Sequence, residues 1–191
     1  PGNQPPTAAT LWGTGYGTGN LEAFTNTPWN NVPAAPKVVA EARTGNHAGA
    51  YTIPAGGSRC ENVPPQLAFK EGDERWFSFS TKLQNVDVNS TKWQDIAQWK
   101  NDGLGSPPLE LSVEGGQFKI GGGYGWPGNT NNPQPKLSKK TLGAATNSIW
   151  DDWRVHIVFS SDPTTGYVEV WRNGTKPSTS GTRRAEPCTR D

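Results

Sequence analysis

The 191-residue chain has no methionine, two cysteines, two histidines and no excess of charge: 18 Lys and Arg face 17 Asp and Glu, for a formal net charge of +1. Each shortage excludes something. Near-neutrality removes the electrostatic basis for nucleic-acid binding, which rests on a marked basic excess. It leaves an acidic polymer open as a partner, because a groove can be locally basic on a balanced protein. No apolar run approaches the roughly 20 residues of a membrane-spanning helix, so no membrane partner is expected. No Cys/His zinc spacing, H-E-x-x-H or G-x-S-x-G occurs. Gly121-Gly122-Gly123 lacks the lysine and flanks of a phosphate loop. A facing carboxylate pair for glycoside hydrolysis is also hard to find: Glu110 and Glu114 share one strand face, and Glu169 is the only other comparable strand-borne glutamate.

Stretches free of Gly and Pro are scarce too, with 23 Gly and 17 Pro in the chain, which argues against helix. Nine tryptophans and many turn residues instead predict short strands joined by turns, an all-β antiparallel sandwich. The length suits one domain over 11–191, preceded by a Pro-rich tail over 1–10. The chain opens at Pro1 without a signal-peptide core, which fits a mature secreted product. Cys60 and Cys188 permit one disulfide, or stand as two buried thiols. If bonded, they close a long loop, worth about 4–5 kcal/mol by chain entropy.

Strands are predicted at 37–43, 47–53, 75–83, 92–100, 109–113, 117–120, 153–160 and 167–172. Gly115-Gly116 and Asn173-Gly174 are two-residue hairpin signals. Residues 121–148 read as a long irregular loop, a kind of segment that often serves function, and it carries Tyr124 and Trp126, rings of the type that stack on sugars.

Strand alternation sorts the polar residues. Over 92–100 it places Gln94, Ile96, Gln98 and Lys100 on one side and Trp93, Asp95, Ala97 and Trp99 on the other. An amide beside an ammonium suits a bound carboxylate, although a solvated outer face has the same pattern. Arg59 and Glu61 flank an inward Cys60, as groove residues or as a surface ion pair. His156 lies opposite the core-like Val155, Ile157 and Phe159, and His47 begins a strand. Either imidazole suits a general base, and either suits a structural role.

Taken in order, SRCEN with the later EPC, EGDERWFSFS, WQDIAQWK, GSPPLELSVEGGQFKI and WDDWRVHIVFSSDPTTGYVEVWRNG resemble the heparin-lyase-like and glucuronan-lyase-like polysaccharide lyases over roughly 11–190. The resemblance implies a concanavalin A-like jelly roll with a concave sheet as substrate groove. It also implies β-elimination of a uronic-acid polysaccharide such as glucuronan or a heparin-like glycan. Related alginate lyases line that groove with R-x-E, Q-x-H and a C-terminal Y-x-K-x-G-x-Y. Arg59-Cys60-Glu61 matches the first, and Gln98-Trp99-Lys100 resembles the second with Lys in place of His. The third has no counterpart before Asp191, and none of Tyr16, Tyr51, Tyr124 and Tyr167 has its context, so the domain reads as lacking its last strand.

On that basis Gln98 and Arg59 are expected to neutralise the uronate carboxylate, with His47 or His156 as base. Lys100 and Glu61 would help hold the chain, and Trp99, Tyr124 and Trp126 are candidate sugar platforms, with the core as the other place for Trp99. The acid is unassigned. No cofactor is required; a structural calcium on oxygen ligands is compatible with the fold, but no Asp-rich loop marks a place for it. A monomer acting outside the cell is expected. The rival readings are a non-catalytic carbohydrate-binding module or lectin on the same fold, and a structural or adhesive surface domain.

Overall fold

The computed structural model describes residues 9–24, 35–65, 67–100, 107–122, 139–160 and 164–177. Among these residues there are nine strands and no helix, and all pairings between the strands are antiparallel. The chain divides into two compact units, Pro1–Ala68 and Phe69–Asp191.

The first unit holds one short ladder, β1 (Lys37–Val39) against β2 (Ala48–Ala50), so the predicted strands 37–43 and 47–53 shrink to three residues each. Aromatic contacts do most of the packing there. Trp12 sits edge-on to Phe24 with ring centroids 5.2 Å apart, and its indole N–H donates to the Ala23 carbonyl at 3.0 Å. The Tyr16 ring lies flat against the β2 backbone: a Cβ on Gly49 would come within 2.7 Å of it. Only glycine allows that approach.

In the second unit two sheets enclose one core. One has the order β3-β8-β9, with β3 at Glu74–Lys82, β8 at Trp150–Val158 and β9 at Tyr167–Arg172. The other is β4-β5-β6-β7, with β4 at Gln94–Trp99, β5 at Leu109–Glu114, β6 at Gln117–Gly121 and β7 at Lys140–Ala144. Period-two alternation sends one set of side chains from each sheet inward. Phe77, Phe79, Val155, Ile157, Val168 and Val170 meet Leu109, Leu111, Val113, Phe118, Ile120 and Leu142. The rings interlock across the gap, Phe118 edge-on to Trp153 at 5.0 Å and Phe77 edge-on to Trp99 at 5.4 Å. Burial of each such side chain stabilises the fold by about 1.5–3 kcal/mol.

Both expected tight turns form. Gly115 and Gly116 take φ of 59° and 75°, and Asn173 and Gly174 take 51° and 78°, the left-handed pairs that a type I′ turn demands. Gly122 has a structural cause: a Cβ there would collide with the Pro108 carbonyl oxygen, so the backbone passes too close for any side chain.

Two strand expectations need correction. Residues 121–148 are not loop throughout, because 140–144 form β7 on the edge of the four-stranded sheet. The strand reads as loop because Leu142 is its one buried residue and Gly143 takes φ of 107° beside a register shift. Strand β4 also fails to alternate simply. A bulge between Asp95 and Ala97 reverses the phase, so Asp95 joins Gln98 on the outer face and Gln94 stands opposite inward Val113.

One polar cluster ties this unit together at a sheet end. Asp151, only 1% exposed, accepts from Arg172 Nε at 2.6 Å and from the Asn173 side-chain amide at 3.2 Å. The Arg172 guanidinium also lies over the Phe118 ring, 4.6 Å from its centroid, and reaches the Leu142 carbonyl at 3.5 Å. A β9 cation thus braces β8, β6 and β7.

Candidate active site

The outer face of the four-stranded sheet carries an ordered polar array. Because directly paired residues point to the same side, the register gives one row of Gln98, Glu110 and Gly121, and a second of Asp95, Ser112, Lys119 and Thr141. The alternation within Leu109–Glu114 produces it: Leu109, Leu111 and Val113 go to the core, leaving Glu110, Ser112 and Glu114 outward. Lys139 crosses this face above Gly121, where a Cβ would come within 2.7 Å of the Lys139 backbone. Its ammonium lies 2.9 Å from Glu110 Oε1, 3.2 Å from Glu114 Oε2 and 5.6 Å from the centre of the Trp93 ring. Lys119 adds a second ammonium 3.6 Å from Glu114.

The electrostatics follow from these contacts. The hydrogen bond from Lys139, opposed by burial and aided by the charges of Lys139 and Lys119, holds the Glu114 carboxyl below the usual range. Burial pulls the Lys139 ammonium down, but Glu110 and Glu114 outweigh it and leave it raised. Lys139 therefore stays cationic across the working pH range. Glu110 and Ser112 are buried, and among the described residues the Ser112 hydroxyl has no hydrogen-bond partner. A buried hydroxyl left this way costs about 1–3 kcal/mol. The open part of the face runs along β4, where Asp95 is exposed, Gln98 half-buried and the following Lys100 exposed. Amide and ammonium donors thus line a face able to receive a carboxylate.

The expected site residues fare differently. Gln98 points outward on this face and Lys100 follows it in the chain. Trp99 is corrected: its ring is 8% exposed and packed on Phe77 in the core, so it offers no surface to a sugar. Arg59 and Glu61 belong to the first unit, form an ion pair at 3.9 Å and flank a buried Cys60. Tyr124, Trp126 and Cys188 lie outside the described residues, which leaves the disulfide an expectation.

His156 is also corrected. Its Nε2 lies 2.7 Å from Glu74 and its Nδ1 3.1 Å from Glu169, and its ring stacks on Trp76 at 4.0 Å. Both ring nitrogens are thus occupied by carboxylates, so neither is open to a substrate proton. His47 differs. It is half-buried in the first unit, and its Nδ1 has no partner among the described residues. In the same unit the Tyr16 and Tyr51 hydroxyls meet at 3.2 Å. Burial, then the hydrogen bond with Tyr16, raises the Tyr51 phenol, which keeps it protonated.

Glu110, Ser112, Lys119 and Lys139 were missing from the expected site. The alternation of LELSVE exposes the first two to inspection, whereas Lys139 becomes visible only once its strand is known. Among the described residues no group of three or more His, Cys, Asp or Glu side chains is placed to hold a metal ion, so no calcium site is assigned.

The Glu169 carboxyl beside His156 gives a pH prediction. Burial alone would raise it, but hydrogen bonds from Lys176 and His156 outweigh that and hold it low. A depressed carboxyl contributes stability above its ordinary value of 4.5 and loses it as pH falls through the lower folded-state value. The thermal midpoint should therefore drop below about pH 4.5, and Glu169→Gln should flatten that slope. An unchanged slope in the variant contradicts the assignment.

No curated protein matches. Among solved structures, an endo-β-1,4-glucuronan lyase from the fungus Trichoderma reesei is similar in fold, with a TM-score of 0.62 and 17% identity over 90% of this chain and 75% of that one. Residues 15–186 match the family model described as polysaccharide lyase. With nearly all its length inside that match, the chain belongs to the polysaccharide lyase family, carbon–oxygen lyases that act on polysaccharides.

Proposed function

We propose that this protein cleaves a uronic-acid polysaccharide by β-elimination, using the outer face of the four-stranded sheet around Gln98. The observation that carries the reading is the juxtaposition of an outward amide with held ammonium groups in a polysaccharide lyase: Gln98 stands opposite Glu110, which anchors Lys139 at 2.9 Å. A 4-linked uronate is the substrate class this chemistry fits. Its carboxylate must be neutralised before the C5 proton becomes acidic, and preorganised donors do this by stabilising the developing enolate. The base takes the C5 proton, a C4–C5 double bond forms, and the C4–O4 bond breaks as O4 gains a proton.

Gln98 is assigned to the carboxylate, with Lys100 supplying positive charge along the polymer and Lys139, held by Glu110 and Glu114, bracing the face. Of the two histidines, His47 remains the candidate base that the family resemblance suggests, since His156 has both nitrogens engaged. Arg59 keeps the carboxylate-binding role that R-x-E suggests. A concanavalin-like jelly roll with this sheet as its groove belongs to the same proposal, supported by the likeness to a glucuronan lyase fold. Secretion belongs to the same proposal.

The test is incubation with glucuronan, heparin and alginate, following the ultraviolet absorbance of the unsaturated ends. Rising absorbance on at least one supports the proposal. No absorbance on any of them, with polymer bound, favours a binding module instead.

A further inference from the structure

The outer face of β3-β8-β9 is unlike an ordinary solvated sheet face, which carries mainly polar side chains. Trp76 and Trp171 stack there with centroids 5.4 Å apart and planes 29° apart. Trp76 is backed by the His156 ring at 4.0 Å, Tyr167 meets that ring edge-on at 5.0 Å, and Lys176 lies 5.5 Å over Trp171. His156 is itself fixed by Glu74 and Glu169, and Glu169 also holds Lys176 at 2.6 Å. These contacts immobilise two large rings on the surface without adding them to the core.

Beside Trp171 runs a groove of about 320 Å³, lined by Ser78, Ser80, Asp152, Arg154, Trp171 and Gly174. That volume falls at the small end of ligand sites, about 300 Å³ and upward. Ser78, Ser80 and Gly174 are exposed, and Ser80 donates to Asp152 at 2.7 Å. An indole, short hydroxyl side chains and one acidic and one basic side chain line it, a mix that suits a pyranose ring, which has an apolar C–H face and a rim of hydroxyls.

The groove opens on the side of the sandwich away from Gln98, because the two sheets turn their inner faces to one core. We propose that this face is a second, non-catalytic glycan-binding site that holds a segment of polysaccharide through Trp171 and the Ser78–Asp152–Arg154 groove. A polymer held there stays near the protein while another segment is cut. The site rests on family membership, not on the elimination mechanism, so it can be tested without turnover.

The experiment is affinity electrophoresis in gels containing glucuronan or hydroxyethyl cellulose, a neutral β-glucan, with Gln98→Ala as the background. Trp171→Ala is expected to weaken retention roughly five- to tenfold, the scale of one aromatic contact. Ser78→Gln narrows the groove without removing core packing and should weaken it in parallel, with an unchanged thermal midpoint. In the active protein, both changes should raise KM for long polymer and leave turnover of short oligosaccharides as it was. Retention unchanged in both variants, on both polymers, overturns the site. Loss of cleavage without any change in retention bears on the Gln98 assignment alone.

Discussion

Replacing Gln98 with alanine is expected to lower turnover of a uronate polymer by about 10²–10³-fold, the loss seen when one donor to a developing oxyanion is removed. The fold should survive, because Gln98 lies on the outer face and the core contacts of β4 come from Ile96, Ala97 and Trp99. A thermal melt of the variant should match the parent. Gln98→Glu should be at least as damaging despite its near-identical shape. It would set a carboxylate opposite Glu110 and against the incoming uronate, where like charges repel. Activity within threefold of the parent in either variant contradicts the role given to this residue.

The second large effect concerns stability. Asp151→Ala should destabilise the protein by about 3–5 kcal/mol, the cost of stranding one partner of a buried ion pair. The cation left behind is Arg172, bonded to Asp151 at 2.6 Å and enclosed by the Phe118 and Trp153 rings at 4.6 and 5.6 Å. With its carboxylate gone, that guanidinium keeps only the Leu142 carbonyl at 3.5 Å among the hydrogen bonds described for it. Asp151→Asn retains an acceptor and should fall between the two. Urea unfolding monitored by tryptophan fluorescence measures the difference. A shift equivalent to less than about 1 kcal/mol would show that the pair is no stronger than an exposed one.

Much of the fold is legible in the sequence because side-chain alternation is a local signal. ERWFSFSTK and WRVHIVFS announce their inner faces through Phe77, Phe79, Val155 and Ile157, and both Gly-containing turns form where they are expected. Two failures have one cause. The bulge at Asp95–Ala97 adds a residue that no periodicity count detects, and it moves Asp95 to the face of Gln98. Strand β7 has a single inward apolar side chain, so its pairing with β6 defines it, not its composition.

The site is legible only in part, and the reason is chemical. Gln98 follows from its motif and from alternation. Lys139 gains its position from a crossing over Gly121 that is visible only in three dimensions. His156 suits a base or a structural role in sequence, and Glu74 and Glu169, distant along the chain, occupy both of its nitrogens. Trp99 likewise resembles a surface platform until Phe77 closes over it.

The way the glycosidic bond breaks separates a lyase from a hydrolase. Mass spectrometry of the oligosaccharides released from glucuronan by the wild-type protein decides it. Elimination yields new non-reducing ends one water lighter than hydrolysis products of the same length, and Gln98→Ala should yield almost none. Products carrying the added water, or a polymer left whole by folded protein that binds it, would contradict the assignment of this polar sheet face to lyase chemistry.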